Sequence, residues 1–294
     1  MIRFNGFWID DSKAKDSWPK RITNLDELPV YYHDFVRDWL QQGMVLPDII
    51  LVKQTNKWEN DRPEYAIAQY QDCIMLLRKT GNNQVLKTVI RGNDVISVEY
   101  NQIYLDCTVI VTFLQSGEFH KAQFHFNAAT KNLYVSTLNI LLGNKTDYLE
   151  DVGTHENSVC SDLMGKSYLM LNYSKLAYRM DDKIEQYYWD KMETAAQKKM
   201  NKKTKKRKLE TEFFIALMNK GTAIVKASKD HISAYYLCWS RTQQISLSTD
   251  QSGEYFIKIT TIANDCFCIP VQQKNYAAAQ NFINQCLKRT VLKF

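Results

Sequence analysis

Hydrophobic and polar residues alternate along most of this chain, and the alternation ends twice at a single amphipathic segment. The first run of alternating segments spans about 64–127 and leads into a helical pattern at 128–142. The second run spans about 184–271 and leads into a helical pattern at 276–289. A period of two is typical of half-buried strands, and a period of 3.6 is typical of a helix that covers a core. The pattern therefore predicts the α+β class: two β-barrel or sandwich domains, each closed by a C-terminal amphipathic helix.

A third helical pattern lies before the first run, at about 26–42. Tyr31, Phe35 and Trp39 recur there at a spacing of four, and Gly43 follows as a helix stop. The polar stretch at 144–158 shows no periodicity, and a connecting helix is predicted at about 160–171. We therefore divide the chain into a leader with a helix (1–45), a first domain (46–143), a linker with a connecting helix (144–180) and a second domain (181–294).

Turn residues mark where the predicted strands end. In the first run they are expected at 81–83, 92–94, 101–102 and 115–117, and in the second a hairpin is expected to turn at 219–221. Within the strand before the first closing helix, Ala122, Phe124 and Phe126 are expected on the buried face. Asn127 is expected to cap that helix.

The net charge of +6 comes from one short segment. Residues 198–208 read KKMNKKTKKRK, with eight basic and no acidic side chains. Of the 38 basic residues in the chain, removing these eight leaves 30 against 32 acidic residues. The rest of the protein is therefore close to neutral, and all excess positive charge is local.

The sequence carries no recognisable catalytic or metal-binding signature. The phosphate-loop, dinucleotide, zinc-protease and nucleophile-elbow motifs are all missing, and no CxxC pair occurs. The seven cysteines are scattered, so neither a disulfide framework nor a metal site is expected at Cys266 and Cys268. We expect a protein that is not an enzyme, with no catalytic residues, no bound metal and no cofactor. An enzyme with an unrecognised site between the domains remains an alternative.

Other titratable residues are weaker candidates. Asp10-Asp11, Glu150-Asp151 and Asp181-Asp182 lie in polar linkers or turns, where adjacent carboxylates are usually solvated. His120 and His125 share one predicted strand at an odd separation, so they are expected on opposite faces. None of these groups is predicted to be catalytic.

Several segments resemble the bacterial pleckstrin-homology (PH)-like proteins of unknown function, in tandem form. The resemblance rests on DFVRDWLQQGMVLPDIIL, VISVEY with AQFHFNAAT, YLMLNYSKLAYRMDDKI, and EYFIKITT with CFCIP before the final helix. It covers about 45–294, and the long Lys-rich insertion departs from the family pattern. It implies PH-like domains and a binding role, with the Lys-rich loop between the first two strands of the second domain. That loop would lie at the open end of the barrel, where eukaryotic PH domains hold inositol phosphates.

Three interpretations compete for the basic segment. It is a solvated hairpin tip, a contact to an anionic membrane or phosphate, or a contact to nucleic acid (including a nuclear import signal). Nucleic-acid modules usually interleave aromatic residues with basic ones, and this segment has none. The candidate residues for an anionic surface are Lys198, Lys199, Lys202, Lys203, Lys205, Lys206, Arg207 and Lys208.

The leading hypothesis for function is a binding or scaffolding protein of PH-like type whose partner is an unknown protein or an anionic lipid surface. A peripheral membrane adaptor acting through the basic segment is the first alternative, and a nucleic-acid-binding protein is the second. No apolar run approaches the length of a membrane span, and charges fill the N-terminal region where a signal peptide would be apolar. We therefore expect a cytoplasmic location, with membrane-peripheral association as an option.

Overall fold

The protein belongs to the α+β class, as its sequence predicts. A computed structural model describes residues 2–4, 7–9, 18–54, 63–81, 84–144, 158–200 and 203–291. Along 2–4, 7–9, 194–200, 203–209 and 290–291, and at residue 158, the description covers the backbone only. Contacts between Cα atoms divide the chain into two compact units, 1–95 with 105–107 and 122–150, and 96–104 with 108–121 and 151–294.

The first unit is built on a five-stranded antiparallel sheet with the strand order β3-β4-β5-β6-β7. Its strands are β3 (Lys20–Arg21), β4 (Ile49–Val52), β5 (Tyr65–Tyr70), β6 (Cys73–Thr80) and β7 (Gln84–Arg91). A separate two-stranded pair, β1 (Ile2–Phe4) and β2 (Phe7–Ile9), precedes it.

Helix α1 (Val30–Gln41) packs on this sheet. Tyr32 and Val36 are fully buried in a cluster with the apolar residues of β4, β5 and β6, and the predicted stripe of Tyr31, Phe35 and Trp39 packs partly buried around it. Gly43 adopts a φ of 108°, so it ends the helix as expected. The face of the helix that packs on the sheet is therefore centred on Tyr32 and Val36, next to the stripe that the sequence predicts.

The first run of strands closes at a capped helix, as the sequence predicts. Ala122, Phe124 and Phe126 are buried, and the Asn127 side chain accepts a hydrogen bond from the Ala129 amide. The first seven residues, Ala128–Tyr134, form a 3₁₀ helix, and α2 (Val135–Leu141) follows.

The second unit contains a seven-stranded sheet with the order β10-β9-β8-β14-β13-β12-β11. Its strands are β8 (Val95–Ile103), β9 (Asp106–Gln115), β10 (Glu118–Asn127), β11 (Ile184–Met200), β12 (Lys203–Met218), β13 (Gly221–Ser228) and β14 (His231–Cys238). Residues 122–127 of β10 are grouped with the first unit. Strand β8 pairs antiparallel with β14 from Ile103↔His231 to Ser97↔Leu237. Strands from both halves of the sequence therefore share one sheet.

A three-stranded sheet and the last helix complete this unit. The strands are β15 (Thr242–Thr249), β16 (Tyr255–Thr261) and β17 (Cys266–Val271), and the helix is α4 (Tyr276–Val291). One apolar core joins both sheets and the helix, and it includes Ile215, Leu217, Ile257, Ile259, Phe282 and Ile283. Each such side chain contributes about 1.5–3 kcal/mol when it is fully buried.

Each half of the chain thus runs through the same series of elements. Four strands (β4–β7, then β11–β14) are followed by three strands (β8–β10, then β15–β17) and by a closing helical segment. In the part of the chain that the structure describes, each sheet begins and ends on an edge strand, so none closes into a barrel. The barrel that the sequence suggested is absent there, because β8 extends its sheet by pairing with β14. The division into domains at 46–143 and 181–294 stays a prediction.

Two predicted boundaries are wrong. Asn101 and Gln102 lie within β8, and the turn falls at Tyr104 and Leu105, where Tyr104 has a φ of 54°. The connecting helix is broken into a 3₁₀ helix, Ser158–Gly165, and α3 (Tyr168–Tyr173), because Ser167 takes an extended conformation and caps α3. The hairpin turn at 219–221 is confirmed, and a Cβ on Gly221 would lie 2.1 Å from the Leu237 carbonyl oxygen. Among the described helices, none is long and apolar enough to cross a membrane.

Candidate functional site

The basic segment occupies the end of an unusually long hairpin. Strands β11 and β12 pair without interruption from Gln186↔Leu217 to Met200↔Lys203. Strand β13 pairs with β12 only as far as Thr211↔Ser228. Within the described residues, the eight rungs from Glu193↔Glu210 onward form a ribbon of two strands, which we call the arm. At about 3.4 Å per residue the arm is about 27 Å long.

The register concentrates the predicted site residues in the outer half of the arm. Lys198 is opposite Lys205, and Lys199 is opposite Thr204. Seven of the eight predicted residues lie on arm strands: Lys198, Lys199, Lys203, Lys205, Lys206, Arg207 and Lys208. Lys202 lies outside the described residues. Like charges directly opposite each other weaken strand pairing, so the Lys198–Lys205 rung is a weak point of the ribbon.

The base of the hairpin is held by a buried aspartate. Asp190 is 1% exposed, and its carboxylate accepts hydrogen bonds from the Tyr188 hydroxyl at 2.7 Å and from the Lys191 amide at 2.8 Å. It also accepts from the Gln272 amide at 2.8 Å and from the Asn275 side-chain nitrogen at 2.9 Å. The carboxylate therefore joins the base of β11 to the connection between β17 and α4.

A second buried carboxylate lies on β12. Glu212 is 5% exposed and accepts hydrogen bonds from the Ser167 hydroxyl and from the Trp189 indole nitrogen, the latter at 3.0 Å. The Ser167 hydroxyl oxygen also accepts from the Met170 amide at 3.0 Å, so it caps α3. Because a buried charge is costly unless it is hydrogen-bonded, this network fixes α3 against the base of the hairpin.

At the border between base and arm, Lys191 pairs with Glu210 at 2.8 Å. The Glu210 carboxylate holds the pKa of the Lys191 ammonium above its ordinary value. Acidic side chains thus line the base of the hairpin, and basic residues occupy the tip. The arrangement suits a rigid support that presents positive charge.

Among the residues that the structure describes, the other titratable candidates have separate surroundings. His120 is exposed, with its ring 5.8 Å from that of Phe113, while His125 lies in the first unit, 3.4 Å from the Gln123 side-chain nitrogen. Asp181 was expected to be solvated, but its carboxylate accepts from the Lys220 amide at 2.9 Å, and burial raises its pKa. It supports the β12–β13 turn. Asp10-Asp11 and Glu150-Asp151 lie outside the described residues.

Metal-binding groups of three or more His, Cys, Asp or Glu side chains are absent from the residues that the structure describes.

Sequence reasoning missed Asp190 and Glu212, although a signal for both exists. Asp190 shares the strand phase of buried Tyr188, and Glu212 shares that of buried Phe214. A single carboxylate at an inward strand position indicates a buried hydrogen-bond network, because an unpaired charge there would not be tolerated. Several of the donors, such as Gln272 and Asn275 for Asp190 and Ser167 for Glu212, come from distant parts of the chain, which the sequence pattern cannot locate.

A scan against protein-family models finds no match for this chain, and a search of curated proteins finds no match either.

Proposed function

We propose that this chain is a non-enzymatic binding protein of PH-like type that contacts an anionic membrane surface through its arm. The observation that carries the proposal is the position of the basic segment. Eight basic residues fall within eleven positions of the sequence, and the seven that the structure describes lie on a two-stranded ribbon that extends beyond the last rung shared with β13.

The PH-like part of the proposal rests on the resemblance in the sequence. The arm lies between the first and second strands of the second half, which is the connection that this resemblance associates with ligand binding. The proposal is thus based on the sequence resemblance and on the position of charge.

The number of basic residues in the arm supports an anionic surface as the partner. Each Lys or Arg near an anionic membrane contributes about 1 kcal/mol, so even half of the eight residues would give about 4 kcal/mol. The remainder of the chain is close to neutral, so it neither opposes nor supplies this attraction. Salt screens exposed charges beyond about 8 Å at physiological ionic strength, and binding is therefore expected to weaken steeply with salt.

Nucleic acid is the second candidate, and the ribbon itself favours it. The major groove of DNA admits a two-stranded β-ribbon, and lysines neutralise phosphates there. The arm sequence has no aromatic residue with which a base could stack, which ranks single strands below duplex DNA.

The test compares two variants that lose the same charge. In the arm variant, Lys202, Lys203, Lys205, Lys206, Arg207 and Lys208 are replaced by Gln. In the matched control, six exposed lysines elsewhere are replaced by Gln: Lys53, Lys87, Lys131, Lys229, Lys274 and Lys288. Cosedimentation with vesicles of 30 mol% phosphatidylserine, with neutral vesicles and with duplex DNA is measured at low and physiological salt.

We expect the parent and the control to bind acidic vesicles at low salt and the arm variant to lose at least tenfold in affinity. Neutral vesicles should bind none of them. If the arm variant binds acidic vesicles as well as the parent, the proposal fails. If the parent prefers duplex DNA at equal salt, the second candidate replaces the first.

A further inference from the structure

A pair of thiols lies on the outer face of the three-stranded sheet. Cys266 and Cys268 are two residues apart on β17, and both are exposed. Their sulfur atoms are 3.6 Å apart. The other described cysteines are buried or half-buried, so this pair combines proximity with access.

The buried residues of β17 determine which way Cys266 and Cys268 point. Ile269 and Val271 are buried in the core between the two sheets, and the Phe267 ring lies 5.1 Å from that of Tyr235. Successive side chains of a strand point to opposite faces, so the cysteines must point outward. On β16, Lys258 is the register partner of Cys268. Its charge favours the Cys268 thiolate and opposes the effect of partial burial, which raises the pKa of that thiol.

The sulfur separation suits one atom held between the two thiols. A disulfide needs about 2.05 Å between its sulfurs, much less than the gap here. An ion bonded to each sulfur at about 2.3 Å would span 3.6 Å with a sulfur–metal–sulfur angle of about 100°, close to tetrahedral. We propose that Cys266 and Cys268 form a bidentate thiolate site for one thiophilic d¹⁰ ion, such as Zn²⁺ or Cd²⁺, whose other positions stay open to external ligands.

Binding requires both thiols to lose their protons, which pass to solvent, and each sulfur then donates an electron pair to the ion. No oxidation is involved. Two open positions distinguish this site from structural zinc sites, in which the protein supplies four ligands. Thiolate ligands also select soft ions over Mg²⁺ or Ca²⁺.

The experiment titrates the full-length chain with Cd²⁺ under a non-thiol reductant and follows the ultraviolet thiolate-to-cadmium absorption. We expect one Cd²⁺ per chain in the parent and at least tenfold weaker binding in Cys266→Ser and in Cys268→Ser. Cys73→Ser is the matched control, because Cys73 is a half-buried thiol on β6 of the other unit, and it should bind as the parent does. The six-Gln arm variant should also bind Cd²⁺ normally, so this test is independent of the proposed function.

Phenylarsine oxide gives a second readout by mass. It condenses with two neighbouring thiols: two As–S bonds form, the oxide oxygen takes both thiol protons, and water leaves while arsenic stays trivalent. One adduct is expected on the folded parent and on Cys73→Ser, and none on either Cys266→Ser or Cys268→Ser. Unchanged Cd²⁺ affinity in the single variants, or arsenical adducts that persist in them, would overturn the site.

Discussion

The two ends of the β11–β12 hairpin are built from opposite chemistry. At the base, Tyr188, Phe214 and Ile215 are buried, and the carboxylates of Asp190 and Glu212 receive six hydrogen bonds between them. Beyond Glu193 and Glu210, the same two strands pair only with each other among the described residues, and their sequence becomes basic. The difference shows how one hairpin can be a structural support at one end and a charged surface at the other.

The base of the hairpin is expected to be more stable than the arm. A two-stranded hairpin by itself is marginally stable in water, whereas strands in a packed sheet gain from burial on their faces. The arm therefore depends on the base for its existence, and the base does not depend on the arm. Substitutions in the base should therefore lower the free energy of unfolding more than changes in the arm do.

Replacing Asp190 with Ala should cost about 3–4 kcal/mol of stability, because four buried or half-buried donors lose their shared acceptor. Urea unfolding followed by tryptophan fluorescence measures the change. Asp230→Ala, at the exposed β13–β14 turn, serves as control and should stay within about 0.5 kcal/mol. A loss below 1 kcal/mol for Asp190→Ala would show that the aspartate does not hold the base.

Replacing Ser167 with Ala should cost about 2 kcal/mol. The substitution removes the cap of α3 and one hydrogen-bond donor to the buried Glu212 carboxylate. The same unfolding experiment applies, and Ser240→Ala is the matched control, since Ser240 is exposed. Equal stability of the two variants would exclude a structural role for the Ser167 contacts.

Shortening the arm should change stability by less than about 1 kcal/mol. The variant joins Glu193 to Glu210 through an Asn-Gly turn in place of 194–209, which keeps the register of the base. Circular dichroism and urea unfolding should show a cooperatively folded protein that no longer binds acidic vesicles. Failure of this variant to fold would mean that the base depends on the arm.

Replacing Lys191 with Gln should cost only about 0.5 kcal/mol, because its ion pair with Glu210 is partly exposed. Glu210 raises the pKa of Lys191 in the folded protein, so this contribution is complete below the ordinary pKa of 10.5 and is lost as pH rises through the folded value. Unfolding of parent and variant should thus differ at pH 7 and converge in strong alkali. Lys229→Gln, at an exposed turn, should show no such pH-dependent difference.

Local features of this fold could be predicted from the sequence because local residues determine them. The cap at Asn127, the stop at Gly43 and the turn at 219–221 each depend on side chains within a few positions. The pairing of β8 with β14 joins residues more than 120 positions apart, and hydrophobic alternation carries no information about which strands become neighbours. For that reason the sequence could not show that the described sheets stay open and do not close into barrels.

The candidate site could also be predicted only in part from the sequence. The position of the basic segment between two strands could be read from its flanking patterns, while its continuation into paired strands could not, because a run of lysines predicts a loop. The donors to Asp190 include Gln272 and Asn275, which follow it by about 80 residues. Such a network is defined only once the fold brings its members together.

Amide hydrogen exchange along the hairpin distinguishes a stable base from an arm that opens easily. In the free protein, amides of 186–192 and 211–217 should exchange slowly, and those of 197–200 and 203–208 should exchange rapidly, since a two-stranded ribbon opens easily. Acidic vesicles should slow exchange in the arm and leave the base unchanged. Slow exchange throughout the arm of the free protein, or an arm whose exchange acidic vesicles do not alter, would contradict the account.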